Sequence, residues 1–426
     1  MTELPHPSDG AFERPFERLA THPIRRALLA TRGTSDCLLV GGVLRDLLVF
    51  GEIGHDWDLV VSEAPSFARR LAEHTDGRRV RLGGDRYRLF RVVTTGEQVD
   101  LQEPLEKGLE AELRRRDLPV NAIALDLVTG RLHAPLGGRA DARRAVLRAV
   151  SPRAFTADPL RVLRLLRFAT TLPGFTIEDG TAELARRSAP GLDGIAVERA
   201  REELHRALSV QRVPRLGSLL AALGLLPGPW APPDTLAPER GAVRALDRLD
   251  ESLERVAALA ATQIPAPDLE AARHAAVLIV LGGAPEAAAA LTERGLVSRR
   301  LGREIERLVS PAPAPRDEAE TRRFLHAWKH SWPVAAGVRL WRARGSARHR
   351  WSDALPRLAE TAARAGDRIF DPPPLLTGDE LRAETGLPAG PEVGRLLAAL
   401  RDAQITGEIS TPREAREWLR RRPPGS

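Results

Sequence analysis

The chain has 426 residues, with 64 Lys and Arg against 57 Asp and Glu, a formal charge of +7 and a pI near 10.6. This length allows about two to four domains, and the basic balance suits a polyanionic partner, although a genomic preference for arginine would also raise the charge. The single cysteine, Cys37, excludes an internal disulfide, and we expect no disulfide-linked partner. The longest apolar run, Ala275–Leu281, is too short to span a membrane, and the N-terminus lacks a signal-peptide pattern, so we expect a cytoplasmic protein without membrane contact.

Helical and strand-like patterns alternate in the first part of the chain. Residues 12–31 alternate apolar and charged positions, which predicts a short amphipathic helix. The apolar run 37–40 ends at two glycines, as a buried strand leading into a turn would, and residues 43–50 then indicate a helix. Three further strands are predicted, at 57–61, 88–94 and 98–101. After Pro152 the strand-like runs disappear, and Leu, Ala, Arg and Glu recur at helical spacing.

These patterns predict an α+β protein, with a small mixed-sheet head followed by an elongated all-α neck, body and tail. Stretches rich in Pro and Gly punctuate the helical part and indicate its internal borders. The predicted domains are the head at 1–150, the neck at 151–225, the body at 226–370 and the tail at 371–426. We expect the neck to select the nucleotide and to bind RNA.

Residues 40–46 place two glycines where a strand turns into a helix. Gly41 and Gly42 let the backbone approach a ligand closely, the helix start presents unpaired N–H groups, and Arg45 adds guanidinium donors. This arrangement indicates a cradle for a triphosphate. A Gly-Gly turn before a helix is also common in proteins without such a ligand, so the motif alone leaves both interpretations open.

Two aspartates lie one residue apart at the start of the second predicted strand. Because side chains alternate along a strand, Asp56 and Asp58 emerge on one face while Trp57 points to the other. Neighbouring carboxylates are costly unless a cation lies between them, and Mg²⁺ prefers such oxygens. We therefore predict a metal pair, to which Asp100 on a later strand could add a third catalytic carboxylate. An exposed acidic strand start remains the alternative.

The segment 114–124 joins three arginines, an aspartate and an asparagine to an apolar run. Arg116, Asp117 and Asn121 could contact the phosphate and ribose of a nucleotide from one edge of the sheet. A solvated arginine cluster would give a similar pattern, and it is the better explanation of this segment taken alone.

A helix start is predicted at Asp158, with this aspartate as the N-cap and Pro159 at the first helical position. Arg161 and Arg164 follow at three-residue steps. Asp158 and Arg161 could offer an acceptor and a donor fork that read the edge of a base without a template. Taken alone, capping and ion pairing on a surface helix explain the pattern better.

In this order and spacing, the four segments resemble the class II tRNA nucleotidyltransferase and bacterial poly(A) polymerase family of the polymerase-β superfamily. The resemblance covers about residues 37–205 and returns in the tail at 376–397. It implies that Asp56 and Asp58 hold two Mg²⁺ ions. The residues to which it assigns nucleotide binding are Gly41, Gly42, Arg45, Arg116, Asp117, Asn121, Asp158, Arg161 and Arg164.

The chemistry implied by the resemblance is in-line attack of an RNA 3′-hydroxyl on the α-phosphate of CTP or ATP, with release of pyrophosphate. We therefore expect a template-independent enzyme that adds C, A or both to the 3′ end of tRNA. The segment between Asp100 and Arg114 is short, which in this family is associated with enzymes that add CC and stop. A poly(A) polymerase acting on other RNAs and a catalytically silent RNA-binding protein are the alternatives.

Arginines alternate with tryptophans between residues 322 and 351, as in a groove where charges meet RNA phosphates and rings stack on bases. Arg339 and Arg342 are the candidates there. Tryptophans at helical spacing are more often core residues, and we predict that role for most of the four, which are Trp328, Trp332, Trp341 and Trp351. Arg199, at the end of the family resemblance, and Arg395, in the tail, complete the predicted RNA contacts.

Overall fold

The structure, a computed structural model, describes residues 14–82, 88–213, 215–230, 240–281 and 286–422. Residue contacts divide the chain into two compact units, which are residues 1–195 with 222–224 and residues 196–221 with 225–426. None of the helices in the described ranges is both long and apolar enough to cross a membrane. The three predicted domain borders remain a prediction, and parts of all four predicted domains lie outside the described residues.

The first unit carries a mixed sheet in which the strand order, among the described residues, is β3-β4-β5-β2-β1-β6-β7. Its strands are β1 (Leu38–Val40), β2 (Asp56–Val60), β3 (Arg78–Leu82), β4 (Leu89–Val93), β5 (Gln98–Gln102), β6 (Ala124–Asp126) and β7 (Leu132–His133). The pairing of β2 with β5 is parallel, and the other neighbours pair antiparallel. The mixed sheet predicted for the head is confirmed.

The helices of the first unit surround this sheet. In the described residues they are α1 (Arg14–Thr21), α2 (Pro23–Thr31), α3 (Gly42–Phe50), α4 (Ala64–Thr75), α5 (Leu109–Arg114), α6 (Gly138–Arg144), α7 (Ala154–Ala157), α8 (Leu160–Thr171) and α9 (Asp179–Ser188). The helix predicted at 12–31 is two helices, and its first two residues lie outside the described ones. The break falls at His22, which has an extended backbone and accepts a hydrogen bond from the Ile24 N–H, because Pro23 can begin a helix but cannot continue one.

The head core lies on one side of the sheet. Phe67 of α4 and Leu44 of α3 join Leu39 and Trp57 of the sheet in one cluster of fully buried side chains. Burying each such side chain contributes about 1.5–3 kcal/mol. Because side chains alternate along β2, anchoring Trp57 in this core fixes the direction of its two acidic neighbours.

Among the described residues, the rest of the chain has mainly helices and one short strand pairing. Strands β8 (Val146–Leu147) and β9 (Thr176–Ile177) pair in parallel in the first unit. The expectation that strands end at Pro152 is therefore wrong for two residues, which lack the length to give an alternating pattern. The second unit's described helices are α10 (Val197–Leu208), α11 (Leu216–Ala222), α12 (Arg240–Leu246), α13 (Leu249–Leu259), α14 (Ala266–Val280), α15 (Glu286–Glu293), α16 (Arg299–Val309), α17 (Glu318–Trp328), α18 (Trp332–Arg342), α19 (Gly345–Ala365), α20 (Asp367–Phe370), α21 (Gly378–Thr385), α22 (Pro391–Thr406) and α23 (Pro412–Arg420).

Candidate active site

The turn between β1 and α3 is built on a glycine that no other residue could replace without displacement. Gly41 has φ +84°, a backbone conformation that L side chains rarely adopt. A Cβ at this position would stand 2.8 Å from Nη1 of Arg116 and 3.0 Å from Oδ2 of Asp58. Gly42 differs, because a Cβ there would meet only Arg45 Nη2, at 3.7 Å. Gly41 thus marks the point where a guanidinium, a carboxylate and a helix start converge.

Three aspartates lie on the face of the sheet opposite the buried Trp57. Asp56 and Asp58 alternate with Trp57 along β2, and Asp100 on β5 lies directly across from Asp58. Both oxygens of Asp100 accept hydrogen bonds of 2.8 Å from the Arg91 guanidinium, and Oδ1 of Asp56 accepts one of 3.1 Å from the Gln98 amide. Asp100 is therefore near the predicted pair, but it is already paired with Arg91.

The carboxylates of β2 and β5 repel one another. Burial raises the pKa of Asp58, and Asp100 and Asp56 raise it further, while Arg116 opposes the rise. A divalent cation between Asp56 and Asp58 would relieve this repulsion. No set of three His, Cys, Asp or Glu side chains in the described ranges is arranged to hold a metal ion. Two carboxylates nonetheless fit Mg²⁺, which is commonly held by one or two of them together with substrate phosphates.

Two sources of positive potential adjoin these carboxylates. Helix α3 begins at Gly42 with no side-chain cap at Gly41, so its first N–H groups are available to an anion. Arg116 lies at the same turn; burial lowers the pKa of its guanidinium and Asp58 raises it, and arginine remains charged at neutral pH. Acidic side chains and groups of positive potential thus adjoin each other at this turn.

A polar network connects α8 to α3 behind this turn. Asp117, which is 4% exposed, accepts a hydrogen bond of 2.7 Å from Arg164 Nε and one of 2.9 Å from the Asn121 amide. The Asn121 carbonyl accepts in turn from Arg45 at 2.8 Å, and Arg45 also donates to both oxygens of Asp46. Burial raises the pKa of Asp117, but Arg164, the Asn121 amide and the Leu118 N–H outweigh it and hold that pKa below its ordinary value. Asp117 and Asn121 were predicted to contact a nucleotide; the structure places both inside the protein, satisfied by each other.

Hydrogen bonds also connect the start of α8 to the backbone at Arg115 and Arg116. Oδ1 of Asp158 accepts from the Leu160 N–H at 3.2 Å, which is the predicted capping role, although the helix begins at Leu160. Arg161 donates to the backbone carbonyls of Arg115, Arg116 and Ala154. The Arg161 guanidinium therefore fixes the backbone that carries Arg116.

The arginines predicted to contact RNA fall into two groups. Arg199 on α10 and Arg395 on α22 are exposed. Arg339 is only 6% exposed, and Arg339 and Arg342 donate to the carbonyls of Arg307 and Val309 at the end of α16. Because those carbonyls have no partner within their own helix, the two arginines serve as helix caps, and the RNA contacts expected of Arg339 and Arg342 stay a prediction. The core role predicted for the tryptophans is confirmed, since all four are buried.

Sequence reasoning missed two members of the site. Arg91 was not singled out, because its link to Asp100 depends on the register between β4 and β5. Phe168 is 1% exposed, and three guanidinium groups lie over its ring, those of Arg45, Arg164 and Arg167. The Arg164–Phe168 spacing on α8 was a readable signal for a ring and a cation on one helix face, whereas the contribution of Arg45 from α3 was not.

Comparison with known proteins shows which family models and relatives resemble the chain. Residues 37–148 match the model of the poly(A) polymerase head domain, and residues 174–228 match that of the probable RNA- and SrmB-binding site of polymerase A. Among similar relatives, an A-adding tRNA nucleotidyltransferase of Deinococcus radiodurans is 36% identical over 425 residues, covering 90% of this chain and 94% of the relative.

A CC-adding tRNA nucleotidyltransferase of Geobacter sulfurreducens is 32% identical over 419 residues, covering 92% of this chain and 93% of the relative. The crystal structure of the Bacillus stearothermophilus CCA-adding enzyme in complex with CTP superposes with a TM-score of 0.69 at 26% identity, covering 96% of this chain and 98% of that one. Identity of this extent over nearly the full length goes beyond a shared fold. The chain belongs to the family of tRNA nucleotidyltransferases and poly(A) polymerases.

Proposed function

We propose that the protein adds C, A or both to the 3′ end of tRNA, with CTP and ATP as the nucleotide donors. The observation that carries the proposal is the convergence at Gly41 of the Asp58 carboxylate, the Arg116 guanidinium and the start of α3. This arrangement offers a place for a cation beside a place for a triphosphate, as nucleotidyl transfer requires. A cytoplasmic location is part of the proposal.

Asp56 and Asp58 would hold two Mg²⁺ ions together with the phosphates of the bound nucleotide. When bound, such ions make the RNA 3′-hydroxyl more acidic and neutralise the charge of the departing pyrophosphate. Asp100 would act indirectly: paired with Arg91, it holds β4 against β5, and its charge adds to the negative potential at Asp58.

The triphosphate would lie against the first turn of α3 and the Arg116 guanidinium. Arg45, Asp117 and Asn121 would position this pair through the polar network rather than contact the nucleotide first. Asp158, Arg161 and Arg164 remain the candidates for selecting the incoming base, because they lie at the start of the helix whose side chains reach the Arg116 segment.

The main alternatives for the added nucleotides are CC and A. The connection from β5 to α5 consists only of residues 103–108, and this short connection favours CC addition. The 36% identity with an A-adding relative favours the addition of a single A. CC addition is the first candidate to test because it has a structural reason as well as a relative of that activity.

The test is incorporation by the purified full chain with Mg²⁺. Transcripts of tRNA ending before CCA, after C or after CC would be supplied with labelled CTP or ATP separately. Two C residues on the shortest transcript without A on the longest support CC addition, one A on the longest without C on the shortest supports A addition, and both products together support CCA addition. Long A tracts on unrelated RNA would favour a poly(A) polymerase, and no incorporation would favour a silent RNA-binding protein.

Asp58→Asn should abolish incorporation and leave tRNA affinity largely intact, because it removes a metal-binding charge without changing the shape of the side chain. The matched control is Asp36→Asn, an exposed aspartate just before β1 of the same sheet, which should keep wild-type turnover. Retained turnover in Asp58→Asn would refute the metal assignment.

A further inference from the structure

One aromatic ring lies among arginines from two helices, α3 and α8. Phe168 of α8 is fully buried, yet its neighbours include three cations. The guanidinium carbons of Arg167, Arg45 and Arg164 lie 4.2, 5.0 and 5.6 Å from the ring centroid. Arg164 and Arg167 belong to α8 itself, whereas Arg45 reaches the ring from α3. The ring therefore connects the two helices through their arginines.

Three like charges around one point repel each other, and burial weakens the screening of that repulsion by water. The face of an aromatic ring carries partial negative charge and attracts cations within about 6 Å of its centroid. All three distances are inside this range. An aliphatic side chain of similar volume would fill the same space but would offer no such attraction.

Two of the three arginines also belong to the polar network. Arg164 donates to Asp117, and Arg45 donates to Asn121, which donates to Asp117 in its turn. Asp117 directly follows Arg116, the guanidinium beside Gly41. A shift of Arg45 or Arg164 at the ring would thus be passed by hydrogen bonds to the backbone that presents Arg116.

We propose that Phe168 is a positioning residue, whose ring face holds Arg45 and Arg164 in the places required for binding the nucleoside triphosphate. The ring does not touch the nucleotide in this role, which rests on the proposed function. The role predicts that nucleotide affinity depends on the electrostatics of the ring and not only on its bulk.

The experiment varies the electrostatic potential of the ring face while the shape of the side chain stays nearly constant. Phenylalanine and its mono-, di- and trifluoro derivatives would be incorporated at position 168 of the full chain, since each added fluorine weakens the attraction of the ring face for cations. The dissociation constants of CTP and ATP would be measured by calorimetry, KM and kcat by incorporation into tRNA, and the melting temperature by scanning calorimetry. Phe168→Leu would serve as a second variant without a ring.

We expect the dissociation constant and KM of the nucleotide to rise with each fluorine, by about three- to tenfold in total, with a smaller change in kcat. The same series at Phe67, an equally buried ring in the apolar head core, should show no trend. A flat series at position 168, or equal slopes at both positions, would overturn the role. Failure of the proposed function would look different: the wild type would bind nucleotide in calorimetry without extending any tRNA.

Discussion

Replacing Gly41 by alanine should disable the site while leaving most of the fold intact. The substitution has two separate costs. The backbone at φ +84° and ψ −137° is unfavourable for a residue with a Cβ, which should lower the free energy of unfolding by about 1–3 kcal/mol. The new Cβ also meets Arg116 Nη1 at 2.8 Å and Asp58 Oδ2 at 3.0 Å, closer than the ordinary contact of about 3.5–4.0 Å.

Both groups must therefore retreat by roughly half an ångström or more. The Arg116 guanidinium is the end of a flexible side chain and can move cheaply, but its movement takes it from the position where it faces the site. Misplacement of a reacting or binding group by about 1 Å can cost about a hundredfold in rate. We expect kcat/KM for nucleotide incorporation to fall by about 10- to 100-fold in Gly41→Ala.

The control is Gly51→Ala at the end of the same helix. Gly51 also has a positive φ, of +68°, but a Cβ there would meet nothing within 4 Å. This variant should lose about 1–2 kcal/mol of stability in urea titrations and keep the wild-type kcat/KM. An unchanged kcat/KM in folded Gly41→Ala, or an equal loss of activity in Gly51→Ala, would refute the reasoning.

Further predictions concern the polar network and the arginine groups. Asp117→Asn should lower the free energy of unfolding by about 2–3 kcal/mol in urea titrations, less than for a fully buried pair because Arg164 is partly exposed. Since the pKa of Asp117 is held below its ordinary value, the contribution of Asp117 to the free energy of unfolding is present above about pH 3.9 and is lost as the pH falls. Equal acid sensitivity of variant and wild type would contradict the pairing. Arg339→Met should lower the melting temperature and spare tRNA affinity in filter binding. Arg395→Ala should leave the melting temperature unchanged, weaken tRNA binding in the filter assay and reduce the slope of log affinity against log salt concentration by about one. A binding defect in a stable Arg339→Met would support the RNA contact predicted for Arg339.

The sequence predicted those parts of the fold whose pattern is local. The alternation in β2 and the glycines before α3 depend on residues within one turn or one strand, and both are present. The strands β6, β7, β8 and β9 escaped prediction because two or three residues cannot display a period. The five-residue strand β3 also escaped, because three of its residues are arginines and it lacks a strand-like apolar run. Pro23 is a local signal for the helix break, but the apolar pattern on both sides of it led to the prediction of one continuous helix.

Side-chain contacts that depend on packing between distant elements could not be predicted from the sequence. Arg91 pairs with Asp100 only because β4 and β5 adopt a particular register, and Arg339 turns inward only because α18 lies beside the end of α16. In both cases the sequence gives a charged residue, whereas its function depends on which opposite group or free carbonyl the fold brings near. Residue type alone could not separate Arg339, which is buried, from Arg395, which is exposed.

Charge balance explains why Asp56 and Asp58, among several acidic residues here, are suited to metal ions. Asp100 is paired with Arg91, and Asp117 is paired with Arg164. Asp56 instead accepts from the Gln98 amide, and Asp58 is repelled by its acidic neighbours more than a lone carboxylate would be. Because the supporting acids already have their cations, the attraction that remains at this face is concentrated at two adjacent carboxylates beside the first turn of α3, where the phosphates of a nucleotide would supply the remaining ligands.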